Sequence, residues 1–171
     1  MKRFIVALSL LLALPLSCWA AEGAKVGSVD IQRVLLMSEA GKEAKEQLGQ
    51  KASKYEGEKN SKEEELKKLK ADLEKQGIVL SESARSAKER DYQQRLKEYQ
   101  RFLKDAQEDL QSKNDEFTNK LVDEIVRVAQ EYGRKNGYTA VFVKSDTMIY
   151  LDPSADLTEE VLKAFNASRK K

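Results

Sequence analysis

The chain contains no histidine. That removes the commonest general base and the commonest metal ligand. Its single cysteine, Cys18, lies within the first twenty residues. A chain processed beyond that point has no disulfide and no thiol chemistry. Proline and aromatic residues are scarce, while charged residues make up 35% of the chain. Together with sustained helical periodicity, that composition points to long helices rather than disorder. No phosphate-binding loop is present. Gly41-Lys42 resembles the end of one, but Leu36 stands where the first glycine belongs and Glu43 where Ser or Thr belongs. Nothing in the residues points to an enzyme, and no cofactor or metal is expected.

The one long apolar run is N-terminal. Lys2 and Arg3 precede Phe4 to Leu16, and Cys18-Trp19-Ala20 ends the segment in a small-x-small pattern. This is the arrangement of a secretory signal peptide over residues 1–20, cut after Ala20. The run is too short for a comfortable membrane span, which needs roughly 20 residues. A lipoprotein signal cut before Cys18 is the competing reading, and Pro15-Leu16-Ser17 fits it poorly. The signal holds two of the 31 basic residues and none of the 29 acidic ones. The remaining chain is formally neutral, which argues against a general nucleic-acid binder.

From Tyr92 onward, small and large apolar residues recur at 92, 96, 99, 103, 106, 110, 117, 121, 125, 128 and 132. Alternating steps of three and four make a coiled-coil seam. It skips one position near Lys113-Asn114. An earlier and thinner seam runs through Ala44, Leu48, Ala52 and Tyr55, then Leu66, Leu69 and Leu73. Gly57, Asn60 and Lys62 interrupt it, so a bend or loosened segment is expected there. Between the two seams, Gly77 suits a helix stop and Ser81 a helix start. Residues 41–136 are therefore expected to fold as one antiparallel helical hairpin with its tip near 76–82. At 1.5 Å per residue, the first helix would be roughly 55 Å long.

The flanks read differently. Residues 25–31 suit a short strand and 32–40 a short amphipathic helix. After Asn136-Gly137, residues 138–143 and 147–151 are β-branched and aromatic and suit two strands. A last helix follows over 157–168, capped by Asp156 or Thr158, with Leu157, Val161, Leu162 and Phe165 on its buried face. Residues 21–40 and 137–171 thus form a small β-containing body. Candidate body residues are Val26, Val29, Ile31, Val141, Val143 and Ile149. So small a core, with no disulfide or metal, is marginal alone and predicts an obligate homo-oligomer.

Two features mark the tip. Arg85, Lys88, Arg90, Arg95, Lys97, Arg101 and Lys104 face only three acids over residues 85–104. This is either a solvated face or a basic rim that draws acidic clients or anionic lipid at long range. Ile78, Val79 and Leu80 are apolar at an exposed turn and serve either as a clasp or as client contacts.

The ends of the chain resemble a known family. Val29-Asp30-Ile31-Gln32-Arg33-Val34-Leu35, then Ser38-Glu39-Ala40-Gly41-Lys42, is similar to the start of the Skp (OmpH-like) periplasmic chaperones. Tyr150-Leu151-Asp152-Pro153-Ser154-Ala155-Asp156-Leu157-Thr158-Glu159-Glu160 resembles their closing segment. The resemblance implies a mainly α chain with a small β body and a jellyfish-shaped homotrimer of hairpin arms. It implies an ATP-independent holdase that keeps unfolded outer-membrane proteins in a cavity between the arms; contact with anionic lipid or lipopolysaccharide is expected from the basic tip instead. One departure stands out: such proteins are often basic, whereas this processed chain is neutral. A periplasmic coiled-coil adaptor or spacer is the alternative; it does not require the closing strand-and-helix segment.

Overall fold

The structure, a computed structural model, describes residues 23–76 and 80–169. The signal segment with Cys18, and Gly77, Ile78 and Val79 at the expected tip, lie outside the described residues.

Strand β1, Val26–Val29, opens the body. Asp30 then caps helix α1, Ile31–Met37, its carboxylate accepting from the Arg33 N–H at 2.8 Å. Ser38 breaks the helix with an extended ψ of 153°. Its buried hydroxyl donates to the Leu35 carbonyl and accepts from the Gly41 N–H, both at 3.0 Å. Helix α2, Glu39–Gln76, therefore leaves α1 at a hydrogen-bonded joint. Gly41 is required there, because a Cβ would sit 1.7 Å from the Leu35 carbonyl oxygen.

Helix α2 runs unbroken through Gly57, Asn60 and Lys62. Packing against a neighbouring helix outweighs the local cost of one glycine, about 1 kcal/mol. Helix α3, Glu82–Lys135, starts at Ser81, whose hydroxyl accepts from the Ala84 N–H as expected. It stops at Gly137, where φ is +69°, a left-handed value that glycine adopts without strain. At about 1.5 Å per residue the two helices are about 57 and 81 Å long.

Strand β2, Ala140–Val143, pairs parallel with β1, Val26 opposite Ala140 and Val29 opposite Val143. Parallel strands need a crossover connection. Here the crossover is the whole helical arm. Bonds from Thr139 N to Lys25 O (2.7 Å) and from Lys144 N to Val29 O (2.9 Å) extend the ladder at both ends. On the other side of β1, Ser28 bridges to Asp156, and the Leu157 N–H donates to the Ser28 carbonyl at 2.8 Å.

The second expected strand, residues 147–151, is not one. Among the described residues, Thr147–Leu151 makes no strand pairing, and Ile149 and Tyr150 are fully or largely exposed. The segment leaves the outer edge of β2 unpaired beyond the turn at Asp146 and Thr147, so β-propensity alone does not make a strand. A short 3-10 turn, Pro153–Ala155, leads to helix α4, Thr158–Ser168. Asp156 caps it from one position further out than the Leu157 N-cap. Its carboxylate accepts from the Thr158 N–H at 3.0 Å and from the Thr158 hydroxyl at 2.5 Å.

The core joins three parts of the chain. Val29, Ile31 and Val34 from the start meet Leu157, Val161 and Phe165 from the end. Leu121, Ile125 and Ala129, at the root of α3, lie between them. Val126, Val128 and Tyr132 pack around its edge.

Two stability outcomes follow from this packing. Replacing Gly41 by Ala should cost about 1–3 kcal/mol, because the joint cannot open without breaking the Ser38 bonds. Replacing fully buried Phe165 by Ala should cost about 3–5 kcal/mol. Chemical denaturation monitored by circular dichroism would read both.

Candidate functional site

The arm is built on facing helices whose partners run in opposite order. Lys51 and Tyr55 of α2 meet Asp109 of α3, Glu63 meets Tyr99, and Glu65 meets Arg95. As numbers rise on one helix they fall on the other, so the pairing is antiparallel. The seam residues on α3 follow the sequence periodicity: Ala106, Leu121 and Ile125 are buried, and Tyr92, Leu96, Tyr99 and Leu110 are half-buried. Leu103 is the outlier, 37% exposed within the seam.

Two tyrosine–carboxylate contacts clamp the helices, in opposite senses. The Tyr55 hydroxyl donates to Asp109 at 2.8 Å, and Lys51 reaches the same carboxylate at 2.5 Å. Nearer the tip, the Tyr99 hydroxyl donates to Glu63. The Tyr55 ring also meets Phe102 edge-on, centroids 6.0 Å apart, a favoured aromatic geometry. Lys51 and then Tyr55 hold the Asp109 carboxyl below its ordinary value of 3.8, while Asp109 pushes the Tyr55 hydroxyl upward. Sequence reasoning did not find these clamps. Each is an ordinary lysine, tyrosine or acid until the helix-to-helix register is known.

The expected tip residues lie mainly on α3. Leu80 is half-buried at the turn. Arg85 pairs with Glu89 at 2.9 Å, and Arg95 with Glu65 at 3.2 Å and Asp91 at 3.6 Å. Lys88 is half-buried, while Arg90, Lys97 and Arg101 are exposed. Residues 85–104 carry seven basic and three acidic side chains, and the facing stretch of α2, 58–76, carries six of each. The positive excess therefore belongs to α3. Exposed pairs of this kind stabilise little. Where the α3 seam skips a residue, Lys113 pairs with Glu116 at 2.5 Å.

The candidate body residues divide. Val29 and Ile31 are buried in the core of their own chain, and Val141 is half-buried. Val26 (40%), Val143 (58%) and Ile149 (102%) are exposed. Leu36, Met37, Phe142 and Tyr150 are exposed apolar residues of the body as well. Among the described residues, no helix is long and apolar enough to cross a membrane, and no metal-binding cluster of His, Cys, Asp or Glu occurs.

A small α/β body bearing one long antiparallel helical hairpin defines a class of arm-bearing proteins. The family model described as "Outer membrane protein (OmpH-like)" matches residues 25–165. The chain belongs to that family. It is 26% identical over 163 residues to the chaperone protein Skp of Yersinia enterocolitica, covering 95% of this chain and 98% of that one. It is 28% identical over 163 residues to an uncharacterised protein of Aquifex aeolicus, covering 95% of each. A crystal structure from Caulobacter crescentus, described as an outer membrane chaperone (OmpH-like), shares the fold. Its TM-score is 0.79 at 15% identity, over 85% of each chain.

The Asp109 clamp has a pH signature. A carboxyl held low in the folded state adds stability that is present above its unfolded value and lost as pH falls through the folded one. Arm melting should therefore lose stability below about pH 4, and Asp109→Asn should lower the midpoint at pH 7 and reduce that acid loss. Circular dichroism melts of both proteins between pH 7 and pH 3 test this.

Proposed function

We propose that this chain is an ATP-independent holdase of the bacterial periplasm, delivered there by the signal peptide at residues 1–20. Three copies would join through their bodies, residues 21–40 and 137–171. Their arms, residues 41–136, would surround a cavity that keeps unfolded outer-membrane proteins from aggregating. One observation carries this reading: an arm much longer than its body springs from a body with an uncovered apolar surface. Two neighbouring pairs of large apolar residues, Phe142 (54%) with Val143 (58%) and Ile149 with Tyr150 (78%), are exposed to water. Large apolar side chains left exposed on so small a body favour an interaction site. The outer edge of β2 and the unpaired Thr147–Leu151 segment offer backbone groups to a second copy as well.

Family membership supports the chaperone class. The relative from Yersinia enterocolitica is itself called a chaperone protein. Client retention would come from many weak contacts at high effective concentration rather than from one tight site. The basic stretch of α3 would steer acidic clients, or the arm tips themselves, toward anionic lipid and lipopolysaccharide.

Sedimentation should give the mass of three chains at micromolar concentration, and Phe142→Lys with Ile149→Lys should give a monomer. The trimer should suppress light scattering by a porin diluted from urea at one trimer per porin, and the monomer should not. A folded wild-type monomer, or a trimer that leaves porin aggregation unchanged, would reject the reading.

A further inference from the structure

Residues 90–117 repeat every seven positions more closely than a seam requires. Leu96, Leu103, Leu110 and Phe117 hold one seam position. Gln93, Gln100, Gln107 and Asn114 hold the position three residues before each of them. Seven residues of helix rise about 10.5 Å, so these four amides form a ladder at that spacing along α3. All four are exposed. Among the described residues, none of them has a hydrogen-bond partner, whereas Gln94 and Gln111 are bonded to Glu98 and Asp115 on their own helix.

The lower part of the ladder borders a cleft. Between α2 and α3, an open space of about 650 Å³ is lined by Leu48, Gly49 and Ala52 on one side and Leu103, Ala106 and Leu110 on the other. Gln107 and Asn114 stand at its rim. Gly49 and Ala52 are too small to cover Leu103, which explains that residue's exposure within the seam. A Cβ added at Gly49 would meet nothing within 4 Å. The space is a gap in the packing of the arm, with its own helices intact on both sides.

We propose that this cleft, with its amide ladder, is where the arm holds an extended apolar segment of an unfolded client. The inference rests on the holdase reading and locates its contact. An unfolded segment presents two needs to its holder. Its apolar side chains seek a surface out of water, and its peptide groups need partners that both donate and accept. Carboxylates only accept and ammonium groups only donate, whereas a primary amide does both. The cleft supplies the apolar floor and the ladder supplies the amides. Side chains on one face of an extended chain recur about every 6.8 Å. That interval does not match a ladder of about 10.5 Å, so no single register is favoured. A segment is gripped weakly in many registers, which suits clients of unrelated sequence.

Filling the gap separates stability from binding. In the full processed chain, Gly49→Leu with Ala52→Leu should raise the thermal midpoint, since a helical glycine is removed and apolar contacts are gained. The same variant should bind a fluorescent twelve-residue peptide of alternating valine and threonine at least tenfold more weakly by anisotropy. Gln100→Met with Gln107→Met keeps side-chain length and removes the amides; it too should weaken peptide binding, with unchanged circular dichroism. Peptide affinity that is unchanged in the filled variant, or unchanged or stronger in the methionine variant, would overturn the proposal. So would a Gly49→Cys chain that cross-links to the arm of another copy in the absence of client, because a second arm would then fill the cleft. Wild-type suppression of porin aggregation that persists undiminished in both variants would sink the cleft while sparing the holdase reading. A wild-type chain that neither suppresses aggregation nor binds the peptide would remove both.

Discussion

The parallel pairing of β1 with β2 is the constraint on which the rest depends. Two parallel strands side by side have their linked ends at opposite edges of the sheet, so the chain between them must travel back. Here that return is made by about a hundred residues of hairpin, and β1 receives Asp156 on its second side. The arm's two ends are thereby fixed at one place. Further ties join the first helix to the last: the Asp30 N–H donates to the Thr158 hydroxyl, Arg33 pairs with Glu159 at 2.7 Å, and the Glu39 N–H donates to Asn166 at 3.0 Å. Without this closure the helices would be two charged rods with no common base.

Closure also divides the molecule energetically. The body is held by apolar burial between the two ends of the chain and the root of α3, all distant in sequence, so its contacts pay a large loop-closure entropy before they stabilise anything. The arm has the opposite character. Its turn is local, its caps are local, and its ion pairs are exposed and individually weak. What holds the two helices together is a narrow seam reinforced by the Tyr55–Asp109 and Tyr99–Glu63 contacts. A seam of this kind tolerates a gap, and the gap at Gly49 and Ala52 leaves Leu103 and the neighbouring amides accessible without disturbing either helix. Weak internal adhesion and accessible weak binding surface come from the same economy of apolar residues.

The charge pattern follows the same division. The positive excess lies on the distal part of α3, while Glu108, Asp109, Asp115, Glu116, Asp123 and Glu124 stand nearer the body. Asp109 and Glu116 are engaged by Lys51 and Lys113, and Glu124 is engaged by Arg169 from the end of the chain. The acids at the root thus serve partly to join elements, whereas Arg90, Lys97 and Arg101 stand exposed along the outer part. A formally neutral chain presents two regions of different electrostatic character because its helices hold them far apart.

Local chemistry made much of this legible beforehand. The α3 seam, the Ser81 cap, the Gly137 stop and the buried face of the last helix all express interactions within a few residues, and such interactions survive wherever the segment is placed. The sequence by itself thus determined the main helices and the faces they would bury, while the break at Ser38, expected only after residue 40, came from hydrogen bonds to Leu35 and Gly41. It did not determine pairing. The segment 147–151 has the residues of a strand, yet it leaves the free outer edge of β2 unpaired; Lys51, Tyr55 and Asp109 became a clamp only when the antiparallel register brought them together. Strand partners, cross-helix contacts and the cleft beside Leu103 were decided by tertiary structure, because each depends on which distant segments the fold brings together, and no local preference encodes that.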